Sequence, residues 1–245
     1  MNFSEIKACV ARQLRPYPTI LGWTRHLTNM SGITSLSVDD YIFNLARRKG
    51  RNVFFLQVGA NDGLLDDPIH YFVRSYGWRG ILLEPVQDIF KRLKENYRTA
   101  KGLTFLNAAL SQVDGRAAFY RLEATNRLPS WCDGLGSFRR DVLLSHQRDI
   151  PDIENYIVAH SVECISFDSL VKRYQPQWID LILIDTEGCD FEILRRIDLA
   201  RFKPEMIVYE HKHLSEADKN TAADMLTSYG YSVSSIRGAN TVAYR

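Results

Sequence analysis

The sequence predicts an α/β fold: a Rossmann-like, doubly wound and mostly parallel sheet with helices on both faces. Three observations carry this. From Asn52 onward, short apolar runs alternate with helix-patterned segments, as in repeated βαβ units. Nearly every apolar run stops on a polar or acidic residue. The first run, 53–56, leads into Gln57-Val58-Gly59-Ala60-Asn61-Asp62-Gly63, a turn bare enough for a ligand to lie against backbone N–H groups.

Residues 1–50 read as a helical extension. Phe3, Ile6, Val10 and Leu14 recur at helical spacing, and Pro16 and Pro18 end that segment. Ser37 with Asp40 makes a capping-box start, and Val38, Tyr41, Ile42, Leu45 and Ala46 form an apolar stripe up to Gly50. These helices cap the domain, cover a substrate, or dock a partner, a second copy of the chain included.

The main domain spans 51–245. Asp67-Pro68 opens a helix that Gly77 stops. A second strand, 80–84, ends at Glu84-Pro85, and a helix runs through Phe90, Leu93 and Tyr97. A third strand, 103–107, ends at Asn107-Ala108, and the turn Asp114-Gly115 leads to a small extra strand, 116–122. Then the alternation stops. Residues 123–161 show no clear strand and read as a lid-like insertion with Trp131, Gly134, Gly136 and a basic, partly amphipathic helix, 138–148. Alternation resumes with strand 162–167, a short helix near Leu170, strand 179–184 ending at Asp185, and helix 190–197. Strand 206–210 and helix 216–229, stopped by Gly230, follow, and 232–236 with 241–244 suit an antiparallel edge hairpin.

Bulk properties narrow the function. A chain of 245 residues, 45% hydrophobic and 24% charged, suits one globular domain with a modest extension. A net charge of +2 gives no strong field, so neither nucleic acid nor a membrane surface is expected as a partner. Cys9, Cys132, Cys164 and Cys189 form no C-x-x-C pair, so reduced thiols in a cytoplasmic protein are expected. No apolar stretch reaches the ~18–20 residues of a membrane span. Glu5, Lys7, Arg12 and Arg15 interrupt any signal-peptide core.

In a doubly wound sheet the ligand lies beyond the carboxyl ends of the strands, at the switch point. The strand ends therefore enumerate the candidate site: Gln57 to Gly63, then Glu84-Pro85, Asn107-Ala108, Asp185-Thr186-Glu187-Gly188, and Glu210-His211. A glycine turn after one strand and an acid ending the next is the arrangement that holds an adenosine, with the carboxylate accepting from the ribose hydroxyls. The turn lacks the dinucleotide pattern G-x-G-x-x-G, because position 61 is Asn. Asp185 and Glu187 face the same side if the chain stays extended. They can serve as positioning or general-base carboxylates, or join Glu210 as Mg²⁺ ligands, or Glu187 can cap the next helix. His211, beside Glu210, is the best candidate base. His213 would point the same way, but two histidines with no third ligand nearby assign no metal. His26, His70, His146 and His160 have no supporting context. In the insertion, Asp133-Gly134-Leu135-Gly136-Ser137 could form a backbone nest or a hinged lid over a cofactor. Arg139 and Arg140 could receive an anionic group, and Trp131 could stack on a planar ligand or simply pack.

These pieces in this order resemble the FkbM-type S-adenosylmethionine-dependent methyltransferases. The likeness runs from about Val53 to Arg245. It lies in Val58-Gly59-Ala60-Asn61-Asp62-Gly63, Gly77-Trp78-x-Gly80-Ile81-Leu82-Leu83-Glu84-Pro85, Asn107-Ala108-Ala109, Ile165-Ser166-Phe167-Asp168-Ser169-Leu170, 179–188 and Val208-Tyr209-Glu210-His211. The resemblance implies the class I methyltransferase form of the sheet, S-adenosylmethionine as cofactor, and transfer of methyl to a hydroxyl on a sugar or secondary metabolite. It implies that Gly59, Asn61 and Gly63 carry the methionine part, Glu84 and Pro85 the ribose, and Asn107 and Ala108 the adenine. Asp185 would lie beside the sulfonium and the acceptor. Gln57 stands where an Asp is frequent, so it would hold the ammonium as a neutral acceptor unless another group does. His211 or Asp185 is the expected base, with Glu187 and Glu210 orienting the acceptor. Two rivals remain: a nicotinamide-dependent oxidoreductase, disfavoured by the missing third glycine, and a non-catalytic binding module that kept the fold.

Overall fold

The structure, a computed structural model, describes residues 36–245 apart from 66, 124–127, 129–131, 133 and 237. The expected helix before Pro16, and the readings on His26, Trp131 and Asp133, lie outside the described residues.

The first described helix, α1 (Val38–Lys49), starts as its sequence predicts. The Ser37 hydroxyl accepts from the Asp40 N–H while the Asp40 carboxylate accepts from the Ser37 N–H, and Ile42, Leu45 and Ala46 are buried. Lys49 at its end pairs with Asp180 at 2.9 Å and Glu205 at 2.8 Å, and the Trp78 indole donates to Gly50 O at 2.8 Å. These contacts fasten the helix across the amino-terminal edge of the sheet.

The strands that follow are β1 (Phe54–Val58), β2 (Arg79–Leu83), β3 (Leu103–Leu106), β8 (Leu181–Ile184), β9 (Met206–Glu210), β10 (Ser232–Ser235) and β11 (Asn240–Tyr244). They form one seven-stranded sheet in the order β10-β11-β9-β8-β1-β2-β3. Strands β3, β2, β1, β8 and β9 are mutually parallel, and β11 runs antiparallel to β9 and to β10. The final hairpin is thus at the edge, as expected, but its second strand lies inside its first. The switch point falls at β1, which has β2 on one side and β8 on the other.

Alternation along the strands divides the core into two layers. Leu56, Val58, Ile81, Leu83, Ile182, Ile184, Ile207 and Tyr209 face one layer, and Phe55, Leu82, Leu181, Leu183, Met206 and Val208 the other. The second layer is closed by α1, α2 (His70–Tyr76) and α3 (Gln87–Asn96). The first is closed by α5 (Phe167–Tyr174), α6 (Asp190–Leu194), α7 (Leu199–Phe202) and α8 (Glu216–Ser228). Gly77 ends α2 in the left-handed conformation at φ 68°, where glycine carries no Cβ penalty.

A second sheet departs from the sequence expectation. It has four strands in the order β4-β7-β5-β6, formed by β4 (Ala109–Ser111), β5 (Gly115–Leu122), β6 (Gly136–Ser137) and β7 (Ile157–Ser166). The supposedly strandless stretch 123–161 therefore holds β6 and the start of β7. Its expected helix divides into α4 (Arg140–Leu144) and a 3₁₀ turn, Ser145–Arg148. The physical reason is exposure. Ala159, His160, Ser161 and Glu163 face solvent, so β7 carries no apolar run and is held by antiparallel pairing with β5.

Candidate active site

At the carboxyl end of β1 the chain turns between two neighbours. Gly59 and Ala60 both donate to Leu83 O, at 3.1 and 2.9 Å, and Asp185 N–H donates to Val58 O at 2.9 Å. A Cβ on Gly59 would overlap the Asp185 carbonyl, and its φ of 78° already disfavours other residues. Gly63 has the same character, because a Cβ there would run into the Tyr97 ring. Both glycines are thus required by the protein's own packing.

The remaining N–H groups of the turn are also directed inward. Asn61 N–H donates to Glu84 Oε2 at 3.1 Å, and Asp62 N–H to Asn61 Oδ1 at 2.7 Å. Gly63 N–H donates to Ala60 O, and those of Leu64 and Leu65 donate to Asp62 Oδ1. The expectation of a backbone cradle for a ligand is corrected here: the turn spends its donors on its own shape.

Glu84 anchors this half. Its second oxygen accepts from Val86 N–H at 2.9 Å, and Asn107 Nδ2 donates to the carbonyls of Glu84 and Pro85 at 2.9 and 3.0 Å. Burial pushes the Glu84 carboxyl up to about 7, against the pull of those two N–H groups and of Arg121. Arg121 on β5 is itself held by Asp88 at 2.6 Å.

Gln57 lies under the turn. Its amide nitrogen points to Asp67 Oδ1 at 3.4 Å, and its buried Oε1 has no hydrogen-bond partner among the described residues. Asp67 also accepts from Ile69 N–H at 2.9 Å and Tyr97 OH at 2.5 Å, and burial raises its pKa. The acid missing at position 57 is therefore present in space, ten residues later. His70 contacts Gly63 O at 2.6 Å, a context the sequence did not reveal.

The other half lies at the ends of β8 and β9. Asp185, Glu187 and Glu210 bring one carboxylate oxygen each to within 4.8 Å of one another. They do so although the chain is not extended there: Glu187 has a φ of 51° and Gly188 of 100°. Glu187 does not cap α6, whose capping residue is Cys189. The structural carboxylate is Asp190, fully buried, which accepts from Thr186 Oγ1 at 3.1 Å, Gly188 N–H at 3.3 Å and Glu210 N–H at 3.2 Å. Burial and then the nearby Asp185 raise Asp190 to about 8. Burial, then Glu187, Asp185 and Asp190, raise Glu210 to about 9.

The two histidines after β9 part company. His211 brings Nδ1 to 2.9 Å from Thr241 Oγ1 on β11, and burial and Lys219 lower its pKa. His213 instead brings Nε2 to 3.0 Å from Glu187 Oε2. His146, in the 3₁₀ turn of the insertion, completes a second group with them, and burial and Lys212 lower its pKa.

The insertion lies against both halves. A Cβ on Gly134 would strike the Asn61 side chain, and Val142 of α4 packs on Gly188. Ser137, fully buried, donates to Glu187 O at 2.7 Å and accepts from Arg139 N–H at 3.0 Å. Arg139 and Arg140 are exposed and paired with Asp141 and Glu154. Cys132, Cys164 and Cys189 are free thiols, and no described helix is long and apolar enough to cross a membrane.

Sequence reasoning missed Asp67, Asp190 and His146 as site neighbours. The two aspartates read as helix starts, and only the strand-end rule applied one turn further would have found them.

The sequence profile described as "Methyltransferase FkbM domain" matches residues 57–233. No curated protein matches the chain. Among solved structures, the chain is similar to a methyltransferase from Geobacter sulfurreducens, with 11% identity and a TM-score of 0.46 over 100% of this chain and 97% of that one. It is similar to methyltransferase FkbM from Methylobacillus flagellatus, with 13% identity and a TM-score of 0.46 over 88% of this chain but 46% of that one. It also resembles the N-terminal domain of human METTL16 in complex with SAH, with 10% identity and a TM-score of 0.44 over 86% and 70%. The chain spans 65% and 64% of two further METTL16 methyltransferase-domain structures. The domain match covers most of the sequence, and on it the chain belongs to the FkbM methyltransferase domain family.

Proposed function

We propose that the protein transfers a methyl group from S-adenosylmethionine to a hydroxyl on a sugar or secondary metabolite. The observation that carries this reading is the set of carboxyl groups at the strand ends. Glu84, Asp185, Glu187 and Glu210 line the strand ends, while the turn's N–H groups are used internally. A pyrophosphate would meet carboxylates there with few N–H donors to receive it. A cofactor with a sulfonium, an ammonium and a ribose suits that lining.

The residues fit such a cofactor. Gln57 Oε1 is a buried acceptor lacking a partner among the described residues, and with Asp67 behind it suits an ammonium group. Glu84 would receive the ribose hydroxyls, and Asn107 with Ala108 would flank the base. When bound, the cofactor supplies a methyl group already activated by positive sulfur. The chain's own residues then align the acceptor, exclude water and take a proton. We assign the proton to Asp185, which follows β8 directly beside the Gly59 turn, with Glu187 and Glu210 orienting the acceptor hydroxyl. Ser137 holds the insertion on the Glu187 carbonyl, and so shapes the cover over this space.

Calorimetry with S-adenosylhomocysteine and NAD on the same preparation tests the reading. Binding of S-adenosylhomocysteine is expected; binding of NAD alone would overturn it.

A further inference from the structure

We infer that His146, Glu187 and His213 form a site for a borderline first-row divalent cation such as zinc, which would join the insertion to the ends of β8 and β9. One donor atom from each residue lies within 4.8 Å of the other two. The three come from separate segments: the 3₁₀ turn after α4, the loop after β8 and the loop after β9. Nothing local in the sequence requires them to meet.

The contact between two of them is unusual. His213 Nε2 and Glu187 Oε2 are 3.0 Å apart and both buried, yet neither makes an aligned hydrogen bond. Two buried polar atoms that approach without pointing at each other both suit a shared third partner. Glu187 also sits at a φ of 51°, a conformation that costs about 1–3 kcal/mol for most non-glycine residues.

The donor set selects the ion. Two imidazoles and one carboxylate suit zinc and its neighbours, whereas magnesium and calcium take oxygen ligands. Bonds of about 2.0–2.2 Å would draw the donors together around the ion, and His213 Nε2 and Glu187 Oε2 already lie 3.0 Å apart. Three protein ligands leave a position for water or for an acceptor oxygen. The neighbouring oxygen-only group, Asp185, Glu187 and Glu210, is the competing location and would prefer magnesium.

The test uses the full chain, stripped with a chelator and titrated separately with Co²⁺, Zn²⁺ and Mg²⁺. Expected are one equivalent of Co²⁺ with visible absorption bands, its displacement by Zn²⁺, and no competition from millimolar Mg²⁺. His146→Ala and His213→Ala should each weaken Co²⁺ binding by ~100-fold or more. The conservative His146→Gln should do the same while keeping the metal-free melting temperature and the affinity for S-adenosylhomocysteine. Saturating Zn²⁺ should raise the melting temperature of the unaltered protein and not of His146→Gln. No Co²⁺ binding, or binding unchanged by both histidine substitutions, overturns the site. So does binding lost in Glu210→Gln but kept in His146→Gln. None of these readouts depends on methyl transfer, so failure here is separable from failure of the proposed activity.

Discussion

At the ends of β1 and β2 the protein's polar groups are spent on one another, whereas at the ends of β8 and β9 carboxylates crowd together. Glu84 has a backbone N–H on each oxygen, and the glycine turn directs its N–H groups inward. Glu210 is pushed to about 9 by burial first and then by Glu187, Asp185 and Asp190. The first half is a scaffold finished by folding. The second keeps a proton on Glu210 at neutral pH rather than add a further negative charge, and a bound cation would displace that proton. The difference teaches where to look for each kind of defect: changes in the first half should appear as lost stability or cofactor affinity, and changes in the second as lost turnover.

The severest break should come from Gly59→Ala. The new Cβ would overlap the Asp185 carbonyl at a φ of 78°, so backbone must shift at the switch point itself. A loss of about 3 kcal/mol or more is expected in urea unfolding. A loss under ~1 kcal/mol would show that the turn is not locked between β2 and β8.

Asp185→Ala tests the other half. Loss of a positioned base costs about 10²–10⁴-fold in turnover. S-adenosylhomocysteine affinity should change by less than about tenfold, because the scaffold half is untouched. Equal losses in both quantities would mean that the halves are not separable.

The pH dependence of Glu84 sharpens the contrast. Its folded pKa of about 7 lies above the ordinary 4.5. The folded state therefore binds the extra proton, and stability falls as pH rises from about 4.5 to about 7 and is level above that. The cost at neutral pH is roughly 3 kcal/mol. Cofactor affinity should move the opposite way, because the ribose hydroxyls need the ionised carboxylate as acceptor. Calorimetry should find S-adenosylhomocysteine bound about fivefold more weakly at pH 6 than at pH 7, with a further gain of about twofold by pH 8. Glu84→Gln should flatten that slope; an unaltered slope in the variant would assign it to another group.

The fold was largely legible because its main strands are apolar runs, and β9 was placed at both ends from sequence. In the second sheet β5 and the later half of β7 were legible, but β4, β6 and the start of β7 were not, because the exposed residues of β7 resemble a loop until β5 pairs with it across the intervening insertion. The strand-end acids were legible because topology alone makes strand ends into a site. The turn's real chemistry was not, since which way its N–H groups point depends on Leu83, Glu84 and Asp62 together. His146 and His213 are 67 positions apart and meet only because Ser137 and Val142 seat the insertion on Glu187 and Gly188.

The smallest effect expected is that of His211→Ala, although sequence reasoning ranked this residue first as base. Proximity to Glu210 along the chain suggested a shared cleft. In the fold the ring pairs with Thr241, and its electrostatic neighbours are Lys219 and Glu216 on α8. A base must reach the proton it removes, and this imidazole is engaged one strand outward from the switch point. Turnover should therefore stay within about threefold of the unaltered protein, with a small loss of stability from the missing Thr241 contact. A fall of 100-fold or more, with cofactor affinity intact, would return His211 to the centre of the reaction and require the loop after β9 to rotate during turnover.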